Sequence, residues 1–188
     1  MSSRLFIENI GSEGALREGA HAEDLCLVDS FSNQSRRCEV LAWRAIVRRE
    51  LGADVQIGYD EYGAPKVDTL ATYISVSHSR GVVAVLISDT PCAIDIEQTD
   101  RNFRRVASHY LSERELALAE EHNLFAEIWC AKEALYKYHK VGKLDFIRDV
   151  IIREYSPQNG TLIATICDVE PVEVALSNNG ELAMAIIR

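Results

Sequence analysis

The segment CAIDIEQ, residues 92–98, sets two carboxylates two positions apart in a stretch that reads as a strand. Side chains alternate along a strand, so Asp95 and Glu97 share one face and Ile94 and Ile96 the other, with the two acidic Cα atoms about 6.7 Å apart. Carboxylates at that spacing can share one hard cation. They serve equally well as the solvated acidic face of a half-buried edge strand. A third carboxylate lies in WCAKEALYK, residues 129–137, where Glu133 falls opposite an apolar stripe of Leu124, Ile128, Ala131, Leu135 and Tyr138. Trp129 and Lys137 stand four residues to either side of it. A Glu-to-Lys pair at that spacing stabilises an exposed helix by about 0.2–0.5 kcal/mol with no further role. A tryptophan is nevertheless a poor choice for a solvated face, so this helix is expected to be covered on two sides.

Two further groups concern anions. Ser77-His78-Ser79 ends a strand-like run just before Arg80-Gly81, and hydroxyls, an imidazole and backbone N–H groups at a turn can cradle a phosphate. A histidine there is as readily a hydrogen-bonded surface residue, and no G-x-S-x-G elbow supports a Ser–His hydrolase. Arg37, Arg44 and Arg48 recur at i, i+7 and i+11, so they align on a helix that begins early enough. Arg36 and Arg49 widen that stripe, which is a solvated basic face or a local anion site. Lys132, Lys137, Lys140 and Lys143 make a second basic cluster.

The elements that must position these residues are legible as pattern. Leu5 to Ile10 reads as a first strand, and the Gly- and Glu-rich stretch after it as loop. Val40, Trp43, Val47 and Leu51 mark a helix over 39–51 that stops at Gly52. Residues 60–65, DEYGAP, are turn chemistry. Residues 73–79 and 82–88 read as a hairpin about Arg80-Gly81, and residues 92–97 as a third strand. One helix starts near Ser112 with Glu115 in capping-box position, and another spans 124–138. Four β-rich segments follow around Val150, Leu162, Val174 and Ala185. The order predicts an α+β fold of two similar halves, 1–91 and 92–188, packed as a single functional unit.

Taken together these blocks closely resemble the Sfp-type 4′-phosphopantetheinyl transferases, single-chain pseudo-dimers that activate carrier proteins. YGAPKV, ISVSHS, AIDIE and WCAKEALYK occur in the family's order and at compatible spacing, within 36–143. The resemblance implies two related α/β halves with coenzyme A bound in the cleft between them. It implies transfer of the 4′-phosphopantetheine arm to a serine of an acyl or peptidyl carrier protein, with release of adenosine 3′,5′-bisphosphate. By motif, Asp95, Glu97 and Glu133 would be ligands of Mg2+, and Lys137 would contact the phosphates. Ser77 and His78 would hold coenzyme A, His78 at the 3′-phosphate, and Lys66 would lie near the nucleotide. Arg37 and Arg44 match a basic helix used at the 3′-phosphate end, and Glu115 matches the residue proposed as base toward the carrier serine. Ala93 replaces the family glycine, the stretch after Lys137 (YHKVGKLDF) is shortened, and the first thirty residues have no match.

Composition limits the partners. With 188 residues and a formal charge of −9, the long-range field repels nucleic acid and anionic membranes alike. Five scattered cysteines without C-x-x-C spacing suggest a reducing compartment. The start shows no apolar signal core, and no apolar run is long enough to span a bilayer. A cytoplasmic monomer serving fatty-acid, polyketide or peptide synthesis is the expectation. A coenzyme-A-binding protein without transfer activity, a metal-dependent phosphohydrolase and an acidic interaction module are the competing readings.

Overall fold

The structure is a computed structural model that describes residues 2–69, 71–140, 142, 144–167 and 169–188. Its helices and antiparallel sheets make the protein α+β, and the chain divides into two compact units, Met1–Pro91 and Cys92–Arg188.

The first unit runs β1 (Ser3–Asn9), α1 (Glu13–Glu18), α2 (Ala22–Asp29), α3 (Gln34–Leu51), β2 (Ile57–Tyr59), β3 (Pro65–Val67), β4 (Tyr73–Ser79) and β5 (Val82–Ser88). Strands β1, β5 and β4 form one antiparallel sheet, and β2 and β3 a small hairpin. The β4–β5 turn has positive φ at both Arg80 (39°) and Gly81 (85°). That double left-handed turn matches the twist of the strands it joins. Trp43, Ile46 and Val47 of α3 pack on Val83, Val85 and Ile87 of β5. This fixes which side of α3 faces the sheet and leaves its arginines for other elements.

The stretch expected to be loop is helical. Ser12 caps α1 through its side chain, and His21 caps α2. Helix α1 is only six residues long and α2 has little amphipathic contrast, so neither announces itself by period. What holds them is α3, which begins at Gln34, earlier than its apolar period shows. Asp24 of α2, 2% exposed, accepts from Nε of Arg44 (2.5 Å) and from Nε and Nη2 of Arg48 (2.7 and 2.9 Å). Glu13 of α1 accepts from Nε and Nη2 of Arg37 (2.7 and 3.0 Å) and from Nε of Arg17 (3.0 Å). Those partners, Arg37 foremost, hold the Glu13 carboxyl down to about 2.

The second unit runs β6 (Ala93–Gln98), a 3-10 turn (Phe103–His109), α4 (Glu113–His122), α5 (Phe125–His139), β7 (Val150–Ser156), β8 (Thr161–Ile166), β9 (Val172–Asn178) and β10 (Leu182–Ile187). Its sheet has the order β6-β10-β9-β8-β7, all antiparallel. Helix α5 lies across β6 and β10 over a core that includes Ile128, Ala131, Leu135, Val150, Leu162 and Ala185. The chain order carries β6 to one edge of this sheet and β7 to the other.

Asp24 supplies the test of the first unit. Removing it leaves two buried guanidinium groups without their shared anion, which typically costs about 3–5 kcal/mol. Asp24→Ala is therefore expected to lower urea-unfolding stability by that amount, whereas Asp29→Ala, at an exposed pair with Arg17, should cost under about 1 kcal/mol.

Candidate active site

The acidic residues of β6 lie on the helix-covered face of their sheet. Ala93, Asp95 and Glu97 share that face, and their register partners on β10 are Ile187, Ala185 and Ala183. The two alanines, both without exposed surface, leave room beneath α5 for the carboxylates. Ile94 and Ile96 are also buried and take the opposite face.

Helix α5 meets the acids with Cys130, Glu133 and Lys137, which fall at i, i+3 and i+7. Lys137 Nζ donates to Asp95 Oδ1 (2.7 Å) and to the carbonyl of Ile94 (3.0 Å). Burial raises the proton affinity of Glu133, and the negative charges of Asp95 and then Glu97 raise it further, while Lys137 and Arg101 oppose them. Burial also pushes the Cys130 thiol well up, again with Asp95 adding to it. The three carboxylates therefore act on one another across the strand–helix boundary. Glu97 in turn accepts from Arg101 Nη1 (2.8 Å).

The donor set is of the hard-oxygen kind that magnesium takes. As the side chains stand, an ammonium and a guanidinium balance this face. Among the described residues no three His, Cys, Asp or Glu side chains are grouped so that they could hold a metal ion. The expected three-carboxylate ligand set is thus brought to one face as an ion-paired cluster rather than as an open cage.

The model of the 4′-phosphopantetheinyl transferase superfamily matches residues 91–186, just over half of the chain and almost the whole second unit. The chain belongs to that superfamily. No curated protein matches it. Transfer of phosphopantetheine, with coenzyme A as its source, is the general activity of the superfamily, and no described helix is long and apolar enough to cross a membrane.

Of the site residues expected of this transferase, Glu115, Arg37 and Arg44 are engaged by other parts of the chain. Glu115 caps α4 with Ser112 as its spacing predicts, but it is 2% exposed and fully engaged. Its Oε2 accepts from Lys132 Nζ (2.8 Å) and from N and Oγ of Ser112 (2.9 and 3.0 Å), and its Oε1 from the backbone N of Ile152 (2.8 Å). A carboxylate that is 2% exposed and already holds four donors is not presented to a carrier serine. Arg37 spends its guanidinium on Glu13 and the carbonyls of Phe31 and Ser32. Arg44, 1% exposed, spends its own on Asp24 and Ile57 O. Neither guanidinium presents a free edge to a phosphate.

The cation that does reach His78 is Arg36. Its Nη1 lies 3.3 Å from His78 Nε2, and Glu39 Oε2 is 3.4 Å from the same nitrogen. His78 is exposed, whereas Ser77, its neighbour on β4, is buried on the other face of the strand. Lys66 is exposed on β3. Lys132, read as part of a second basic cluster, has no exposed surface; it donates to Glu115, Phe146 O (2.7 Å) and Val150 O (2.8 Å). Burial lowers its proton affinity and Glu115 opposes that. Lys143 lies outside the described residues. Only the capping-box spacing Ser112/Glu115 hinted at the Glu115–Lys132 pair, and nothing in the sequence hinted at Asp24.

Glu115 can be tested against its base role by an apolar exchange. Glu115→Leu and Lys132→Met singly each leave a buried charge unpaired and are expected to cost about 3–5 kcal/mol, while the double variant removes both charges and should recover most of that stability. Transfer should recover with it. A double variant that folds normally but is slowed 100-fold or more would restore Glu115 as base.

Glu133 gives a pH test. Its carboxyl binds a proton more tightly in the folded chain than in the unfolded one, so its contribution to stability falls as pH rises above the ordinary carboxylate range through its raised value. Glu133→Gln should therefore melt higher than the native protein at neutral pH in metal-free buffer, and the difference should vanish below about pH 4.

Proposed function

We propose that the protein transfers the 4′-phosphopantetheine arm of coenzyme A to a serine of an apo acyl or peptidyl carrier protein, as a holo-carrier-protein synthase of the Sfp type. The observation that carries the reading is the acidic face of β6 under α5, with Asp95, Glu97, Glu133 and Lys137 together inside the matched segment. In the transfer the serine hydroxyl gives its proton to solvent water, its oxygen bonds to the phosphorus nearest the pantetheine, and the bond to the bridging oxygen breaks, releasing adenosine 3′,5′-bisphosphate. Such a reaction demands positioning and charge stabilisation more than covalent chemistry from the protein.

Asp95, Glu97 and Glu133 would hold Mg2+ only by turning oxygens from Lys137 and Arg101 toward one another, and the ion would supply neutralisation of charge on the pyrophosphate. Lys137, anchored on Asp95 and Ile94 O, contributes a fixed positive charge beside that position. For the 3′-phosphate we assign His78 and Arg36 in place of Arg37 and Arg44, because a phosphate needs charge-assisted donors with open geometry. Exposed Lys66 is assigned to the nucleotide, and Ser77, expected to hold coenzyme A, is buried on the face of β4 opposite His78 and is assigned no contact with the coenzyme.

Weighing an apo carrier protein by mass spectrometry after incubation with the enzyme, coenzyme A and Mg2+ tests the reading. The phosphopantetheine mass should appear on a serine, and should be absent with Asp95→Ala. Hydrolysis of coenzyme A without carrier modification would sink the transferase assignment. Arg36→Ala and His78→Ala should each raise KM for coenzyme A about tenfold or more, at little cost in kcat, and should erase the native protein's preference for coenzyme A over dephospho-coenzyme A. Arg37→Ala with that same selective loss would reinstate the residue expected from the sequence.

A further inference from the structure

The turn after β6 carries a cation to which the transfer described above gives no part. Arg101 lies four residues beyond Glu97 and donates to its Oε1 at 2.8 Å. Among the described residues its guanidinium has no other hydrogen-bond acceptor. Its plane is seated instead on an aromatic platform, 5.1 Å from the ring centres of both Phe103 and Trp129. Trp129 is held in turn by Tyr110, edge-on at 5.1 Å, and by Phe146 at 6.0 Å. The platform fixes where the guanidinium sits without using any of its hydrogen-bonding capacity.

Lys137 is the second cation on this acidic face, and the two are held differently. Lys137 donates to both Asp95 and the carbonyl of Ile94, and its side chain is 29% exposed; the Arg101 side chain, bonded to Glu97, is 43% exposed. Three carboxylates and two cations leave a formal charge of −1. A divalent cation added to that set would compete with the resident cations for the carboxylate oxygens, and the more solvated of the two, Arg101, yields at lower cost.

We propose that Arg101 is the resident, displaceable counter-ion of Glu97. It satisfies the carboxylate in the metal-free protein, competes with the metal for it, and once displaced becomes a further donor for the phosphates of coenzyme A. The inference rests on the metal assignment of the preceding section. A guanidinium suits the second task because its planar fork matches phosphate oxygens and stays charged at every working pH.

Arg101→Met removes the charge and keeps an apolar stem to lie on the rings. Mn2+ is titrated into the native protein, Arg101→Met, Arg101→Lys and Glu97→Gln without coenzyme A, with free Mn2+ read by electron paramagnetic resonance. Arg101→Met should bind Mn2+ roughly three- to tenfold more tightly than the native protein, the effect of removing one nearby positive charge in a partly solvated site. Arg101→Lys should stay within about twofold of native. At saturating metal, Arg101→Met should raise KM for coenzyme A roughly fivefold with kcat little changed. Unchanged or weaker Mn2+ binding by Arg101→Met would overturn the counter-ion role, and an unchanged KM would overturn the phosphate role. Mn2+ binding that is absent from the native protein, or indifferent to Glu97→Gln, would overturn the metal assignment itself and the inference with it.

Discussion

Lys132 has no exposed surface, and its ammonium persists there because Glu115 and the carbonyls of Phe146 and Val150 surround it. An isolated buried ammonium would cost several kcal/mol, so these acceptors must stay together whenever the second unit is folded. The pair thereby joins α4, through Glu115, to α5, through Lys132, and both to β7. It also closes the sheet edge. The outward groups of β7 are taken by Glu115 at Ile152 N, Lys132 at Val150 O and Arg114 at Arg153 O, so part of that edge is unavailable for pairing with another chain. Because Glu133 follows Lys132 directly, fixing the lysine toward β7 sets the rotation of α5 and with it the direction of Glu133, Cys130 and Lys137 toward β6.

The acidic face that results is a balance of charges. Asp95 and Glu97 are placed by the two-residue period of β6, and Ala183 and Ala185 give them space. Lys137 and Arg101 neutralise them, which is why the carboxylates tolerate being half or fully buried without a metal. The same arrangement makes the face responsive, since each cation holds a carboxylate that a divalent ion would also take.

In the first unit the arginines of α3 divide by direction. Arg37, Arg44 and Arg48 do share one face, as their spacing implies, and that face is covered by α1 and α2, which bring Glu13 and Asp24 to it. Arg36, turned away from those helices, reaches His78 instead. The helices that replace the expected loop after β1 are thus the same elements that cover the arginine stripe, which is neither solvated nor open. A covered basic face and an open one have the same period, and only the covering element distinguishes them.

What the sequence determined by itself is whatever depends on neighbours close along the chain. The β4–β5 hairpin about Arg80-Gly81, the Ser112–Glu115 cap, helix α5 and the shared face of Asp95 and Glu97 follow from local period, turn chemistry and capping, and the structure has them within a residue or two. Three of the four family motifs, ISVSHS, AIDIE and WCAKEALYK, lie in these same segments. Tertiary structure decided the assignments that depend on a partner far along the chain. Asp24 pairs across 20 and 24 residues with Arg44 and Arg48, Lys132 across 17 with Glu115, and Lys137 across 42 with Asp95. Whether an ionisable side chain is a ligand or a structural strut depends on whether another element arrives to bury and satisfy it, because the cost of an unpaired buried charge leaves no intermediate option. Local sequence sets the direction in which such a side chain points; only the packed fold sets what it meets.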